Sequence, residues 1–94
     1  NFILKWGTAG TGDGQFSYPS NIALDSAGNV YVSDHNNNRV QKFDSAGNFI
    51  TQFGSSGAGS GQFNQPYGIA IDSAGNVYVS DCYNHRVQKF SPRY

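Results

Sequence analysis

Apolar residues alternate with polar ones in short bursts along this chain, and a turn signal closes each burst. Phe2, Leu4 and Trp6 share one face of a period-two run, which predicts a strand over Phe2-Ile3-Leu4-Lys5-Trp6. After Pro19, the apolar run Ile22-Ala23-Leu24 and the runs Val30–Ser33 and Arg39–Phe43 predict three more. Asp25-Ser26-Ala27-Gly28-Asn29 separates the first two of these, and the polar loop His35-Asn36-Asn37-Asn38 precedes the third. Asp caps its own turn and Gly takes positive φ, so the first connection reads as a hairpin loop. Asp44-Ser45-Ala46-Gly47 then turns the chain into Phe49–Phe53, where the same pattern begins again.

The recurrence is strict. A shift of 47 superimposes the chain on itself without a gap, and 28 of the 47 aligned positions are identical. The run Asp25–Asp34 returns unbroken as Asp72–Asp81. A fixed period of this size marks a repeat architecture. Residues 1–47 form the first repeat and 48–94 the second.

Composition supports an all-β reading. Glu and Met are absent, Leu occurs only at positions 4 and 24, and Gly occurs twelve times. No apolar stretch approaches 18 residues, which excludes a membrane-crossing helix, and no leader pattern is visible. The absence of Met suggests a module cut from a longer parent, or an engineered chain. The net charge is zero, so the basic excess typical of nucleic-acid modules is missing. A single cysteine, Cys82, excludes an intrachain disulfide.

Four antiparallel strands in about 45 residues make the blade of a β-propeller. Both copies carry Gly-x-Gly-Gln-Phe, Pro-x-x-Ile-Ala-x-Asp-x-x-Gly-Asn-Val-Tyr-Val-Ser-Asp and Asn-x-Arg-Val-Gln-Lys-Phe. On these segments the chain resembles the NHL repeat, over essentially its whole length. The resemblance implies propeller blades, and because NHL propellers are typically six-bladed it implies more blades than one chain supplies.

Two blades leave two outer sheet faces bare. At about 25 cal/mol per Å², several hundred Å² of uncovered apolar surface forfeits on the order of 10 kcal/mol, which rivals the stability of a small domain. Head-to-tail association removes that loss. Three chains would complete a six-bladed homotrimer; two or four chains would give four or eight blades, and both are known propeller sizes. The phase of the repeat sharpens this expectation. The innermost strand is Ile22–Leu24, so the chain opens on the outermost strand of a blade it does not contain. The first repeat holds that strand and the inner three of blade one; the second holds the outer strand of blade one and the inner three of blade two. Residues Phe2, Ile3, Leu4, Lys5 and Trp6 are thus expected to pair with Arg86, Val87, Gln88, Lys89 and Phe90 of the next copy, closing the ring by strand exchange.

Candidate chemistry is thin. The run Gly7 to Gly14 resembles a phosphate loop, but another strand follows it rather than a helix, so it reads as an inter-blade connection. Asp34 and Asp81 recur in both copies, which marks them as blade residues that bond loop amides or pair with Arg39 and Arg86. Cys82 and His85 have the spacing of half a zinc site, yet two ligands do not make one. The family resemblance brings a precedent of metal-dependent lyases, whose zinc-binding His follows the Pro of the inner strand. The matching positions here are Ser20 and Tyr67, so that site is missing, and neither an enzyme activity nor a cofactor is expected. The resemblance also implies a binding face for a protein, a peptide or single-stranded RNA. Here that face would be built from Tyr18, Ser20, Asn21, His35, Asn36, Asn38, Gln65, Tyr67, Cys82, Tyr83 and His85. The missing basic field disfavours RNA and leaves a protein or peptide as the expected occupant.

Overall fold

Three Asp-led turns set the hairpins. Asp25 Oδ1 accepts the N–H groups of Ala27 and Asn29 at 3.0 Å each. Asp44 and Asp72 make the same bonds with Ala46 and Asn48 and with Ala74 and Asn76. Gly28, Gly47 and Gly75 close these turns at φ between +84° and +88°, which only glycine adopts without strain.

A computed structural model describes residues 1–92; the last two positions of the second repeat lie outside the described residues. Strands β1 (Thr8–Ala9) and β2 (Gln15–Phe16) form a short parallel pair within the glycine-rich connection. Strands β3 (Pro19–Leu24), β4 (Val30–Asp34), β5 (Arg39–Phe43) and β6 (Phe49–Phe53) make a four-stranded antiparallel meander in that order. Strands β7 (Pro66–Ile71), β8 (Val77–Asp81) and β9 (Arg86–Phe90) repeat its first three. Single 3₁₀ turns, His35–Asn37 and Cys82–Asn84, join the second and third strand of each sheet.

The register places alternate residues on opposite faces, with Val32 opposite Ile22 and Phe43 opposite Val30. Tyr31 and Val40 of the first sheet meet Val77 and Val79 of the second, with Phe63, Ile69, Ile71 and Phe90 around them. On the other face of the first sheet, Val30, Val32 and Phe43 are covered by Trp6, Phe16 and Phe49. The all-β class and the antiparallel blade sheets are as the sequence pattern requires.

One expectation needs correction. Residues 2–6 form no strand within the chain, and Phe2 and Ile3 stand 78% and 90% exposed. Their alternation is real, but a ladder needs a partner edge, and among the described residues no strand pairs with them. The second sheet has three strands, and none pairs with the outer edge of β9 among the described residues. Among those residues no helix is long and apolar enough to cross a membrane.

Candidate functional site

Each blade is locked by an arginine, buried in the first and partly exposed in the second. Arg39 Nε donates to Asp34 Oδ2 at 2.8 Å. Its two terminal nitrogens donate to the carbonyls of Thr11, Gly12 and Gln15 and to Gln52 Oε1, at 2.7–3.0 Å. Asp34 accepts in addition from Ser17 N–H and the Asn37 amide. In the second blade Arg86 binds Asp81 and the carbonyls of Ala58, Gly59 and Gln62. The pairing expected of these Asp and Arg residues is present, and it ties the glycine-rich connection to the blade edge. Burial works to raise the Asp81 carboxyl, but Asn64 N–H, the Asn84 amide and the Arg86 guanidinium outweigh it and hold the group below the usual carboxylate range. At Asp25, burial is likewise outweighed by bonds from Asn29, the Tyr31 hydroxyl and Ala27.

The loops at one end of the sheets bring part of the expected face together. Tyr18 packs on His35 with ring centroids 5.2 Å apart, and Tyr67 meets His35 edge-on at 6.1 Å. His35 Nδ1 lies 3.0 Å from the carbonyl oxygen of Pro66, across the boundary between the sheets. Asn38 Oδ1 accepts from Gln65 N–H at 2.7 Å across the same boundary. Asn36 lies beside Ser17, bonded through backbone and side chain. Cys82 and Tyr83, both exposed, and His85 sit on the corresponding loop of the second sheet. Asn21 turns its side chain to the next backbone N–H, that of Ile22. Among the described residues no three His, Cys, Asp or Glu side chains gather in a way that would hold a metal ion.

Beneath this face the sheets are joined by hydroxyl groups. Ser20 Oγ lies 2.8 Å from Ser33 Oγ, and donates towards the carbonyls of Tyr67 and Pro66 at 3.1 and 3.3 Å. Ser33 Oγ donates to Tyr67 O at 2.8 Å. Sequence reasoning missed Ser33, although its return as Ser80 was a signal.

The boundary between the two sheets is a template for the two free ends of the chain. Val40 is fully buried in it, whereas Val87, one repeat later on the open face of the second sheet, is 68% exposed. Ile69 and Ile71 pack into it, whereas Ile22 and Leu24, one repeat earlier, are 58% and 63% exposed. Trp6 packs on Phe43 at 5.7 Å, as Phe53 packs on Phe90 at 4.7 Å. Gly7 and Gly54, which follow these residues, have φ of +103° and +104°. Residues 2–6 therefore already lie against blade one as β6 lies against blade two. Leu4, Trp6, Phe16, Pro19, Ile22 and Val32 line an apolar depression of about 320 Å³ there.

A four-stranded meander and its three-stranded repeat, packed face to face and each tied by an arginine to its glycine-rich connection, define propeller blades. Residues 16–43 and 63–90 each match the NHL repeat, and the chain belongs to that family. It is 50% identical over 46 residues to Protein lin-41 of Caenorhabditis elegans, covering 49% of this chain and 4% of that protein. It is 46% identical over 46 residues to human NHL repeat-containing protein 3, covering 47% and 13%. Protein brain tumor of Drosophila melanogaster is 39% identical over 46 residues, covering 49% and 4%. The chain thus aligns with only a small fraction of each relative's length.

Proposed function

We propose that the chain is a non-enzymatic NHL module that closes a propeller ring by associating head to tail with copies of itself, three copies giving six blades. The observation that carries this reading is the burial of Val40 against the exposure of Val87, set beside the exposed Ile22 and Leu24 at the other end. One end offers the surface that the other end lacks, and the chain already contains a worked example of how they fit. In the ring, Phe2–Trp6 of one copy adds to the edge of β9 in the next, and completes its blade. The loop face, with Tyr18 and Tyr67 exposed around the half-buried His35, then recurs three times and suits a protein or peptide. Among the described residues, Arg39 and Arg86 at the ends of these loops are held by Asp34 and Asp81, which disfavours RNA.

Light scattering coupled to size exclusion tests this. A species of about 31 kDa, three times the 10.2 kDa chain, supports the six-bladed trimer. A monodisperse 10.2 kDa species with a cooperative melt refutes it. The second reading is a binding module whose missing blades belong to a longer parent, favoured by the short share of the relatives that the chain spans. In that case the isolated chain aggregates without a defined mass.

A further inference from the structure

We propose that His85 is an acid-sensitive latch on the seam between copies; the inference rests on the head-to-tail reading above and adds its regulation. Within the chain, the loop end of the sheet boundary is closed by Asn38. This residue sits at a left-handed corner, φ 55° and ψ 47°, and its Oδ1 accepts the N–H of Gln65. One repeat on, the same corner is His85, with φ 55° and ψ 45°. Asn and His are among the few side chains that readily take this conformation. One repeat back, the residue matching Gln65 is Tyr18, also left-handed, with φ 61° against 58°. No hydrogen bond within the described residues engages the Tyr18 N–H. When a second copy docks, His85 of one molecule therefore faces Tyr18 N–H of the other.

The chemistry of the exchange is specific. Oδ1 of Asn and Nδ1 of His both stand one bond beyond Cγ, so Nδ1 takes the acceptor's place. It accepts only in the neutral tautomer that carries its proton on Nε2. A second proton sets a donor against a donor, whereas an asparagine keeps its acceptor at any pH. The seam inside each chain is thus indifferent to mild acid, and the seam between chains is not. An imidazole is the side chain whose ordinary titration falls in this range.

The other histidine does not share this sensitivity. His35 Nδ1 faces the Pro66 carbonyl, and a protonated ring still donates there. Asp81, Cys82, Tyr83 and Arg86 share its sheet and loop; by the repeat relation, Lys5 of the neighbouring copy takes the place of Gln52, and Tyr18 that of Gln65 with His35 against its ring. Asp81 is held below the usual carboxylate range and stays ionised throughout mild acid.

Dilution series at pH 7.5 and pH 5.5, followed by sedimentation velocity, test the latch in the wild type, His85→Asn and His35→Asn. The wild type and His35→Asn should associate about tenfold more weakly per seam at the lower pH, the effect of one lost acceptor. His85→Asn, which copies the first repeat, should show no such loss. Equal weakening in His85→Asn, or none in the wild type, overturns the latch while leaving the ring intact. A wild-type species of 10.2 kDa at pH 7.5 refutes the ring and the latch together.

Discussion

Lys5 is the weak point of the proposed strand exchange, and replacing it should tighten the ring. In the complete blade, Gln52 on the outer strand accepts from Arg39 Nη1 at 2.7 Å. One repeat back, position 52 becomes position 5, so Arg86 of one copy meets Lys5 of the next. Lys has no acceptor to offer and carries the same charge. A hydrogen bond to a charged group contributes about 1.5–3 kcal/mol when well buried. The Arg86 side chain is 31% exposed, which brings the contribution nearer to about 1 kcal/mol. Lys5→Gln should then strengthen association about five- to tenfold per seam. The gap should narrow as salt screens the repulsion. Sedimentation velocity across a dilution series, at low and high salt, reads this directly. The reverse change, Gln52→Lys, should place the same mismatch inside one chain and lower its melting temperature by about 4–8 °C. If Gln52→Lys destabilises as stated but Lys5→Gln leaves association unchanged or weaker, then Phe2–Trp6 does not lie beside Arg86–Phe90.

Val87→Asp places a carboxylate on the face that docking would bury, and should reduce the mass to 10.2 kDa by light scattering; an unaltered oligomer refutes the docking face. Asp34→Ala strands the buried Arg39 and should cost about 3–5 kcal/mol in denaturant unfolding, whereas a loss under about 1 kcal/mol would show the corner to be dispensable. The carboxyls of Asp25, Asp44, Asp72 and Asp81 are lowered in the fold, so each adds stability above its unfolded value near 3.9 and loses it as pH falls through the lower folded value. Melts of the His85→Asn chain should therefore hold level from pH 7 to 5 and fall below about pH 4. A melting temperature unchanged at pH 2.5 contradicts the sign of those shifts.

What the sequence disclosed follows the range over which each feature acts. The Asp25, Asp44 and Asp72 turns were legible because every bond in them spans four residues or fewer. Alternation along β4 fixes which side Tyr31 takes but not which side is buried, since all five of its residues are buried between neighbours. Phe2–Trp6 is the complementary case: alternation marks a segment able to be a strand, but pairing depends on what stands beside it. The Ser20–Ser33–Tyr67 bonds lay beyond reading, since they arise only where β3, β4 and β7 converge. The left-handed corners at Tyr18, Asn38, Gln65 and His85 also escaped notice, because none of them is a glycine. For the expected loop face, the sequence named candidates but not the grouping in which His35 lies between Tyr18 and Tyr67.

Phe2–Trp6 is without a ladder partner in its own chain, and this has a kinetic consequence. The hairpins from β3 to β9 can form at a rate indifferent to protein concentration, since each strand finds its neighbour along the same polymer. The order of residues 2–6 instead depends on an encounter, and slows in proportion as the solution is diluted. Refolding should accordingly divide into a unimolecular burst and a second-order tail. Trp6, the sole tryptophan of the chain, would report both phases, first as it packs on Phe43 of its own chain and then as a neighbour's edge joins residues 2–6.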